Sequence, residues 1–445
     1  MRARRGHVQT STVFESSGKS HARAGLDNLS HSLIGLIAGE SIARSGRIRP
    51  ESALTPAARR ALLVTVSVVG NNLPDLDLLY SYHPFAHDTH AKLDYMLQHR
   101  GYTHTLLVCI ALATLLYAAV EIGARWKRVS LARHDRFVVA GAALFAVVLH
   151  LVMDSMNSYG VHPFWPLQNR WLYGDSVFIV EPLYWAAALP LFFTVRSRIT
   201  RAVLALAPVI ALVLCLVTRM ATPVSCACFG LLAIAMLIIG SRASAPVAAF
   251  TSAGVAVSVT LLFLVCSAVA ARRVNTIAAV EFGGERVIDH VLTPAPLNPL
   301  CWDMLLLATR GDRYFVRSGV LSISPALVRA QRCPRILSER RATSFIAPPR
   351  ATVSTQIQWT GELAMSRAQL ASLVVSHCQA AALMQFARAP FVAQLQHQWV
   401  MGDLRFERGR GEGMASIHLD PLPSGDCRSP VPWTPPRADL LDLRR

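Results

Sequence analysis

The residues of this 445-residue chain that could do chemistry are histidines and aspartates set beside long apolar runs. His150 and Asp154 stand four apart. That spacing stacks two side chains on one helix face and suits either shared coordination of a divalent cation or a plain His–Asp hydrogen bond. In His99-Arg100-Gly101-Tyr102-Thr103-His104 two imidazoles lie five apart across a glycine. From a turn they can converge on one metal, whereas on a continuous helix they would point to different sides; a polar entry loop is the alternative. In Gly70-Asn71-Asn72-Leu73-Pro74-Asp75-Leu76-Asp77 the proline breaks an apolar run and leaves two carboxylates at its end, as ligands or as a capping turn. His31 opens a further apolar stretch, as an interfacial residue or a ligand. Ionisable residues at membrane depth are costly, so such clusters are functional or paired.

Taken together, three histidines and three aspartates, with His31 as a seventh candidate, form a mixed nitrogen and oxygen donor set. It suits Zn²⁺, or Mn²⁺, better than Ca²⁺, which prefers all-oxygen shells. Seven donors exceed one tetrahedral site, so on the order of one to three ions are expected, and adjacent ions can clamp a phosphoryl group and activate water. Neutral imidazoles are required, so binding is expected to weaken below about pH 6.

The elements that must position these residues are membrane helices. The chain is 53% hydrophobic and only 16% charged, and its apolar residues fall in blocks near the roughly 17 to 25 residues a bilayer core requires. This excludes disorder and fibrous repeats. The net charge of +17 is spread along the chain with no compact basic module, so no nucleic-acid partner is expected. A short block from Leu26 to Ala43 and an interrupted one from Ala61 to Tyr80 precede spans at about 104–122, 137–153, 179–195, 202–218, 226–240 and 247–270, a count of six to eight.

Arg44, Arg47, Arg49, Arg59 and Arg60 mark one basic loop, Arg125, Lys127, Arg128, Arg133 and Arg136 a second, and Arg196, Arg198 and Arg201 a third. The charge rule puts all three in the cytoplasm, and hence every polar cluster on the outer face. Eight segments also place residues 272–445 outside, against a weak contrary signal from Arg272 and Arg273.

Four regions follow. Residues 1–25 are a basic extension without the apolar core of a signal peptide, with the native start expected at Leu26. Residues 26–271 are the membrane domain. Residues 272–430 form a small α+β domain outside the membrane, and residues 431–445 a mobile Pro-rich tail. In the α+β domain, Val287–Thr309 and Tyr314–Leu321 read as two strands around Arg310-Gly311-Asp312, Ser366–Phe386 as a helix capped by Ser366, and Trp399–Phe406 with Ala415–Leu419 as a hairpin. Cys301, Cys333, Cys378 and Cys427 permit two disulfides if that domain faces an oxidising compartment. Cys226 and Cys228 lie in an apolar setting with no second pair, which favours packing over zinc.

His31, Leu73-Pro74-Asp75-Leu76-Asp77, the His99–His104 motif and His150-Leu151-Val152-Met153-Asp154 resemble the inner-membrane metal-dependent hydrolase family of YbcI/YdjM type, also catalogued as a domain of unknown function. The resemblance covers roughly residues 27–200 and continues through Asn157–Pro166, Arg170-Trp171 and Glu181-Pro182-Leu183. Members similar to this chain begin with Asp-Asn-Leu-Ser-His directly after the initiator, which underlies the expected start at Leu26. The family is distantly similar to zinc-dependent phospholipase C and P1-type nucleases, helical enzymes that bind three zinc ions through His and Asp. The resemblance therefore implies an all-α membrane domain and phosphoester hydrolysis, by analogy.

On that basis His31, Asp75, His99, His104, His150 and Asp154 are the expected metal ligands, with Asp77 a further ligand or a supporting base. Asp77, His104 and Asp154 are the expected catalytic residues. Glu181 would orient an imidazole, Arg100 and Arg170 would hold a phosphate, and Tyr159 and Trp165 would shape an interfacial pocket or serve as anchors. No Ser or Cys lies in a Gly-rich elbow, so a covalent nucleophile is not expected. The reading is a polytopic inner-membrane hydrolase acting on a phosphoester, a lipid among the candidates, at the outer membrane surface. A transporter using the same cluster, and a membrane scaffold with a partner-binding C-terminal domain, are the alternatives.

Overall fold

The structure is a computed structural model describing residues 13–46, 54–82, 88–334, 354–395, 398–407, 413–419 and 431–442. The loop carrying Arg47 and Arg49, Cys427 and residues 1–12 of the basic extension lie outside these residues.

A helical N-terminal region is followed by a small β-sheet domain. Helix α1 (Val13–Ser45) and helix α2 (Pro56–Gly70) form the first hairpin. Thr55 caps α2 by accepting a hydrogen bond from the Ala58 amide, and Pro56 occupies a first-turn position where its missing N–H costs nothing. The hairpin closes on glycines: a Cβ at Gly35 would lie 2.8 Å from the Ser67 carbonyl oxygen, and one at Gly39 2.7 Å from Val64 Cα. These two residues form a small-xxx-small stripe that lets the backbones touch. After α2 the chain bends by 48° into a 3₁₀ turn at Pro74–Asp77 and the short helix α3 (Leu78–Ser81).

Helix α4 (Thr89–Gln98) and a 3₁₀ turn at Tyr102–His104 lead into α5 (Leu106–Trp126), which runs antiparallel to α6 (Arg133–Ser155). Helices α8 (Arg198–Thr218), α9 (Pro223–Arg242) and α10 (Ala245–Glu281) complete the bundle. Five helices, α5, α6, α8, α9 and α10, are long and apolar enough to cross a membrane, or six if the bent α2–α3 pair is one span. The expected count of six to eight is thus not reproduced as such. The block at 179–195 is the main difference. It folds as the short helix α7 (Leu183–Ala187) and a 3₁₀ turn at Leu189–Phe193, with Tyr184 through Leu191 buried inside the bundle. Its hydrophobicity reflects burial in protein, which composition does not distinguish from burial in lipid. Elsewhere large apolar side chains face outward, including Leu115, Phe137 and Val217 at 66%, 66% and 75% exposure. Such a surface belongs in lipid.

In the C-terminal domain, β1 (Arg286–Ala295), β2 (Asn298–Arg310), β3 (Arg313–Ser322) and β4 (Ile357–Ser366) form an antiparallel sheet in sequential order. The single strand expected over Val287–Thr309 is two strands, folded back at Leu297, whose φ of 62° makes the turn. Period-2 alternation in β2 sends Leu305 and Leu307 to one face and Met304 and Leu306 to the other. Both faces are buried: Met304 and Leu306 pack on Ala270, Val274 and Ala278 of α10. Leu305 and Leu307 share a core with Leu93, Met96 and Leu97 of α4 and with Tyr159.

Ser366 caps α11 (Arg367–Ser376) as expected, but the helix breaks at His377 before α12 (Cys378–Met384). The expected hairpin is β6 (Gln398–Asp403) with β7 (Ser416–His418), and β5 (Pro390–Leu395) adds a third strand. Cys301 and Cys333 form a disulfide, and Cys378 is disulfide-bonded as well. Residues 431–442, expected as part of a mobile tail, are docked. Trp433 is buried, its indole N–H donates to the Leu97 carbonyl at 3.0 Å, and its ring stacks on His162 with centroids 3.9 Å apart.

Candidate metal centre

Four elements bring the chemistry together at one end of the bundle. α1 contributes Asp27 and His31, the turn after α2 contributes Asp75 and Asp77, the loop after α4 contributes His99, Arg100 and His104, and α6 contributes His150 and Asp154. Pro74 stops α2 from continuing and turns the two carboxylates inward. Arg100 adopts a left-handed φ of 59°, which reverses the chain between His99 and His104 and lets both imidazoles face the same carboxylates.

The central group is Asp75, His104, His150 and Asp154, each offering one donor atom, with those atoms within 4.8 Å of one another. His104 Nε2 lies 3.1 Å from His150 Nε2 and 3.0 Å from Asp154 Oδ2. Asp75 Oδ1 lies 3.5 and 3.6 Å from the same two nitrogens. Donors on a tetrahedral ion at zinc–nitrogen and zinc–oxygen bond lengths sit about 3.3 Å apart, so the set has the right size for one.

The outer ring nitrogens are held in place. His150 Nδ1 is 2.9 Å from the Asn71 carbonyl oxygen, to which it can only donate. His104 Nδ1 faces Thr103 Oγ1 at 3.0 Å and Asp77 Oδ2 at 3.3 Å. Both Nε2 lone pairs are thereby directed at each other, an arrangement that requires a proton or a metal between them.

Two smaller groups adjoin the first. Asp27, His31 and Asp154 share the Asp154 carboxylate, with His31 Nε2 3.3 Å from Asp154 Oδ1 and 3.7 Å from Asp27 Oδ1. Both ring nitrogens of His31 are buried without a hydrogen bond among the described residues, and the ring stacks on His150 at 4.0 Å. Asp75, Asp77 and His99 form the third group, in which His99 Nδ1 sits 2.9 Å from Asp77 Oδ1. The other oxygen of Asp77 accepts from the Arg100 amide at 2.9 Å and the Thr103 hydroxyl at 2.8 Å.

Electrostatics favour a cation. Asp27, Asp75, Asp77 and Asp154 set four carboxyl groups against the one permanent positive charge of Arg100 in a buried place. Burial works against charge on His104, yet Asp154, Asp75 and Asp77 outweigh it and lift its imidazole well above the ordinary histidine range. The field that draws a proton to His104 is the field that would draw a metal. Donor types, lone-pair directions and charge all fit a divalent cation.

Every expected ligand is in this assembly, but the supporting residues are arranged differently from expectation. Arg100 is fully buried and bonded to Asp27 at 2.9 Å, Asp154 at 3.0 Å and Asn157 at 3.0 Å, so it has no free edge for a phosphate. Burial opposes its charge, but Asp154 and Asp27 hold it well above the usual guanidinium range. Arg170 lies on an exposed loop and makes no hydrogen bond or ion pair with the cluster among the described residues. Glu181 orients no imidazole; it accepts from the Leu183 and Leu297 amides, and burial pushes its carboxyl up to about 8. Tyr159 is buried beneath Arg100 and Trp165 packs on Tyr102, so neither is an exposed anchor.

Asp27 was missed by sequence reasoning although it stands four residues before His31, the same spacing as His150 and Asp154. The Asn71 carbonyl carries no sequence signal at all.

Residues 26–223 match the family model of the YdjM inner membrane protein. Over this region the chain is similar to the YdjM inner membrane proteins. It contains every residue of the three candidate ion-binding groups and ends where α9 begins. No curated protein and no solved structure matches the chain. The YdjM match and the apolar helices together give a membrane location.

The β-sheet domain lies beyond the YdjM match and is fastened over the end that carries the His/Asp cluster. Arg388 makes a bidentate pair with Asp175, both distances 2.8 Å, and reaches Asp289 at 2.8 Å. Arg405 donates to the Ser158 and Tyr159 carbonyls.

Proposed function

We propose that this protein is a metal-dependent hydrolase that cleaves a phosphoester at the outer surface of the inner membrane. The observation that carries the reading is the convergence of two imidazole Nε2 lone pairs and two carboxylate oxygens on one buried point, with both imidazoles fixed from behind. Asp75, His104, His150 and Asp154 would hold the principal ion, with Zn²⁺ the best match to two nitrogens and two oxygens. Asp27 with His31, and Asp77 with His99, would hold further ions through the shared Asp154 and Asp75. A divalent cation so bound supplies an activated water and a counter-charge for a phosphoryl oxygen.

The chain's own residues do the rest. Asp77 orients His104 toward the central ion and, with His99 and Asp75, is itself a ligand of the further one. Asp154 joins two ion groups, and Arg100 pairs with both Asp27 and Asp154 and holds them in register. The β-sheet domain excludes bulk water from the polar end.

The basic helix ends support the orientation: Arg44, Arg59, Arg60, Arg125, Arg133 and Arg136 all lie at the ends of α1, α2, α5 and α6 remote from the cluster. A disulfide in the C-terminal domain suits the same, oxidising side.

The test is elemental analysis of the detergent-purified protein beside His150→Ala, with hydrolysis of phosphodiesters measured on the same samples. Stoichiometric metal and turnover, both lost in the variant, are expected. A fully active, metal-replete His150→Ala protein would refute the reading.

A further inference from the structure

An apolar groove of about 450 Å³ runs between α1, α6 and α10, directly below the candidate metal centre. Its floor includes Ile34 and Ile37 of α1, both buried, and its rim includes Phe145, Phe250 and Val257, each about half exposed on the outer surface of the helices. It is therefore open sideways, toward lipid. Its hydroxyl groups are already used: Ser41 donates to the Ala249 carbonyl, Ser45 to Ile42 and Thr260 to Ala256, while the Tyr184 hydroxyl meets Thr260 at 2.8 Å. A wall with no free directional partner selects an apolar occupant.

Along α1 the groove extends from Ile34 to Ser45, about 16 Å at the helical rise, a narrow apolar trough along the helix that suits an extended acyl chain. At its upper end Met153, Met156 and Tyr184 wall both this groove and a small cavity whose other walls include Asp27, His31 and Asp154. The groove thus adjoins the polar cluster across these three side chains, while the opposite, aqueous side is covered by the β-sheet domain through Arg388 and Arg405.

We propose that this groove holds an acyl chain of a membrane phospholipid that enters laterally from the leaflet and brings its phosphate end to the Asp27, His31 and Asp154 side of the cluster. This rests on the hydrolase reading for the fate of the phosphate, but the seating of the chain is tested independently of turnover.

The protein is reconstituted in phosphatidylglycerol vesicles doped with an analogue bearing a diazirine in its acyl chain, and photo-adducts are mapped by mass spectrometry. Adducts concentrated on Ile37, Leu149 and Val257 are expected. They should fall about tenfold in Ala253→Trp, which fills the groove, and persist in His150→Ala, a tenfold change corresponding to about 1.4 kcal/mol. Ala38→Phe fills the same space from α1 and serves if the tryptophan variant does not fold. Adducts spread evenly over outward residues such as Leu115 and Val217, or unchanged in both filled variants, would overturn the proposal, as would occupation of the groove by a second copy of the chain. Groove adducts in a wild type that hydrolyses no phosphoester leave the lipid site standing and sink the hydrolase reading. Turnover of a soluble phosphodiester with no groove adducts does the reverse.

Discussion

The substitution Asp154→Asn separates a ligand from the residues that support it. Asp154 Oδ2 lies 3.0 Å from His104 Nε2 and 3.4 Å from His150 Nε2, and Oδ1 faces Arg100 at 3.0 Å and His31 at 3.3 Å. Asparagine keeps the shape and the contact with Arg100 but removes the charge. Taking away one of four charged ligands should weaken metal binding by more than the roughly 100-fold upper bound for loss of a supporting carboxylate, or more than about 2.7 kcal/mol.

Asp77→Asn is the comparison. Asp77 touches the Nδ1 side of His99 and His104, not the converging nitrogens of the central group. Loss of such a supporting carboxylate costs about 10- to 100-fold in affinity. The assay is titration of chelator-stripped protein with Zn²⁺ and Mn²⁺ against a competing chelator, with thermal melting of the stripped protein as the control for folding. Arg100 retains Asp27 at 2.9 Å and Asn157 at 3.0 Å in the variant, so the stripped melts should be similar. Equal affinity in Asp154→Asn and wild type, or a larger loss in Asp77→Asn, would refute the ligand assignment.

Three further outcomes follow from the geometry. Trp433→Ala should destabilise the C-terminal domain by about 3–5 kcal/mol, because it empties a buried site against His162 and removes the bond to Leu97; a denaturation midpoint indistinguishable from wild type would mean that this segment is not docked. Glu181 titrates at about 8 in the folded protein through burial, above its unfolded value. The folded state then holds the extra proton, and stability is full below about pH 4.5 and falls as pH rises to 8, by at most about 5 kcal/mol at 1.36 kcal/mol per pH unit. Glu181→Gln should flatten that slope, and an unchanged pH profile would contradict it. A reporter fused after Leu443 should be active on the oxidising side of the membrane, and cytoplasmic activity would reverse the proposed orientation.

Much of the site was legible because its chemistry is expensive. Histidine and aspartate at the ends of apolar helices stand out against lipid-facing leucine and valine, and His150 with Asp154 carries a helical spacing that survives intact in α6. What was not legible has specific causes. Leu183–Phe193 is apolar because it is surrounded by protein, and only the neighbours Phe229, Met236 and Ala249 reveal that. The strand pair β1–β2 turns at Leu297, and the signal for that turn, Pro296 and Asn298 on either side of it, was passed over, so the two strands read as one. Trp433 carries no signal of docking, since its partners His162 and Leu97 are more than 250 residues away. Arg100 read as a substrate clamp because its charge was visible and its partners Asp27, Asp154 and Asn157 were not.

The hairpin of α1 and α2 ties this chemistry to backbone packing, and Gly35→Ala tests the link. A Cβ at Gly35 would meet Ser67 O at 2.8 Å and Val68 Cα at 2.9 Å, both backbone atoms of α2, whereas ordinary contact begins at 3.4 Å. The helices must separate by about the difference, 3.4 minus 2.8, or roughly 0.6 Å. His31 stands one turn away on the same helix, stacked on His150 at 4.0 Å and 3.3 Å from Asp154. Metal sites tolerate displacements of about 0.2 Å, so a shift three times larger should empty the Asp27–His31–Asp154 group. The Asp75–His104–His150–Asp154 group draws no ligand from α1 and should keep its ion. Elemental analysis should therefore show Gly35→Ala with fewer ions per chain than wild type but more than Asp154→Asn. Complete loss of metal would mean that α1 sets the position of the whole cluster, and full retention would mean that His31 binds no ion.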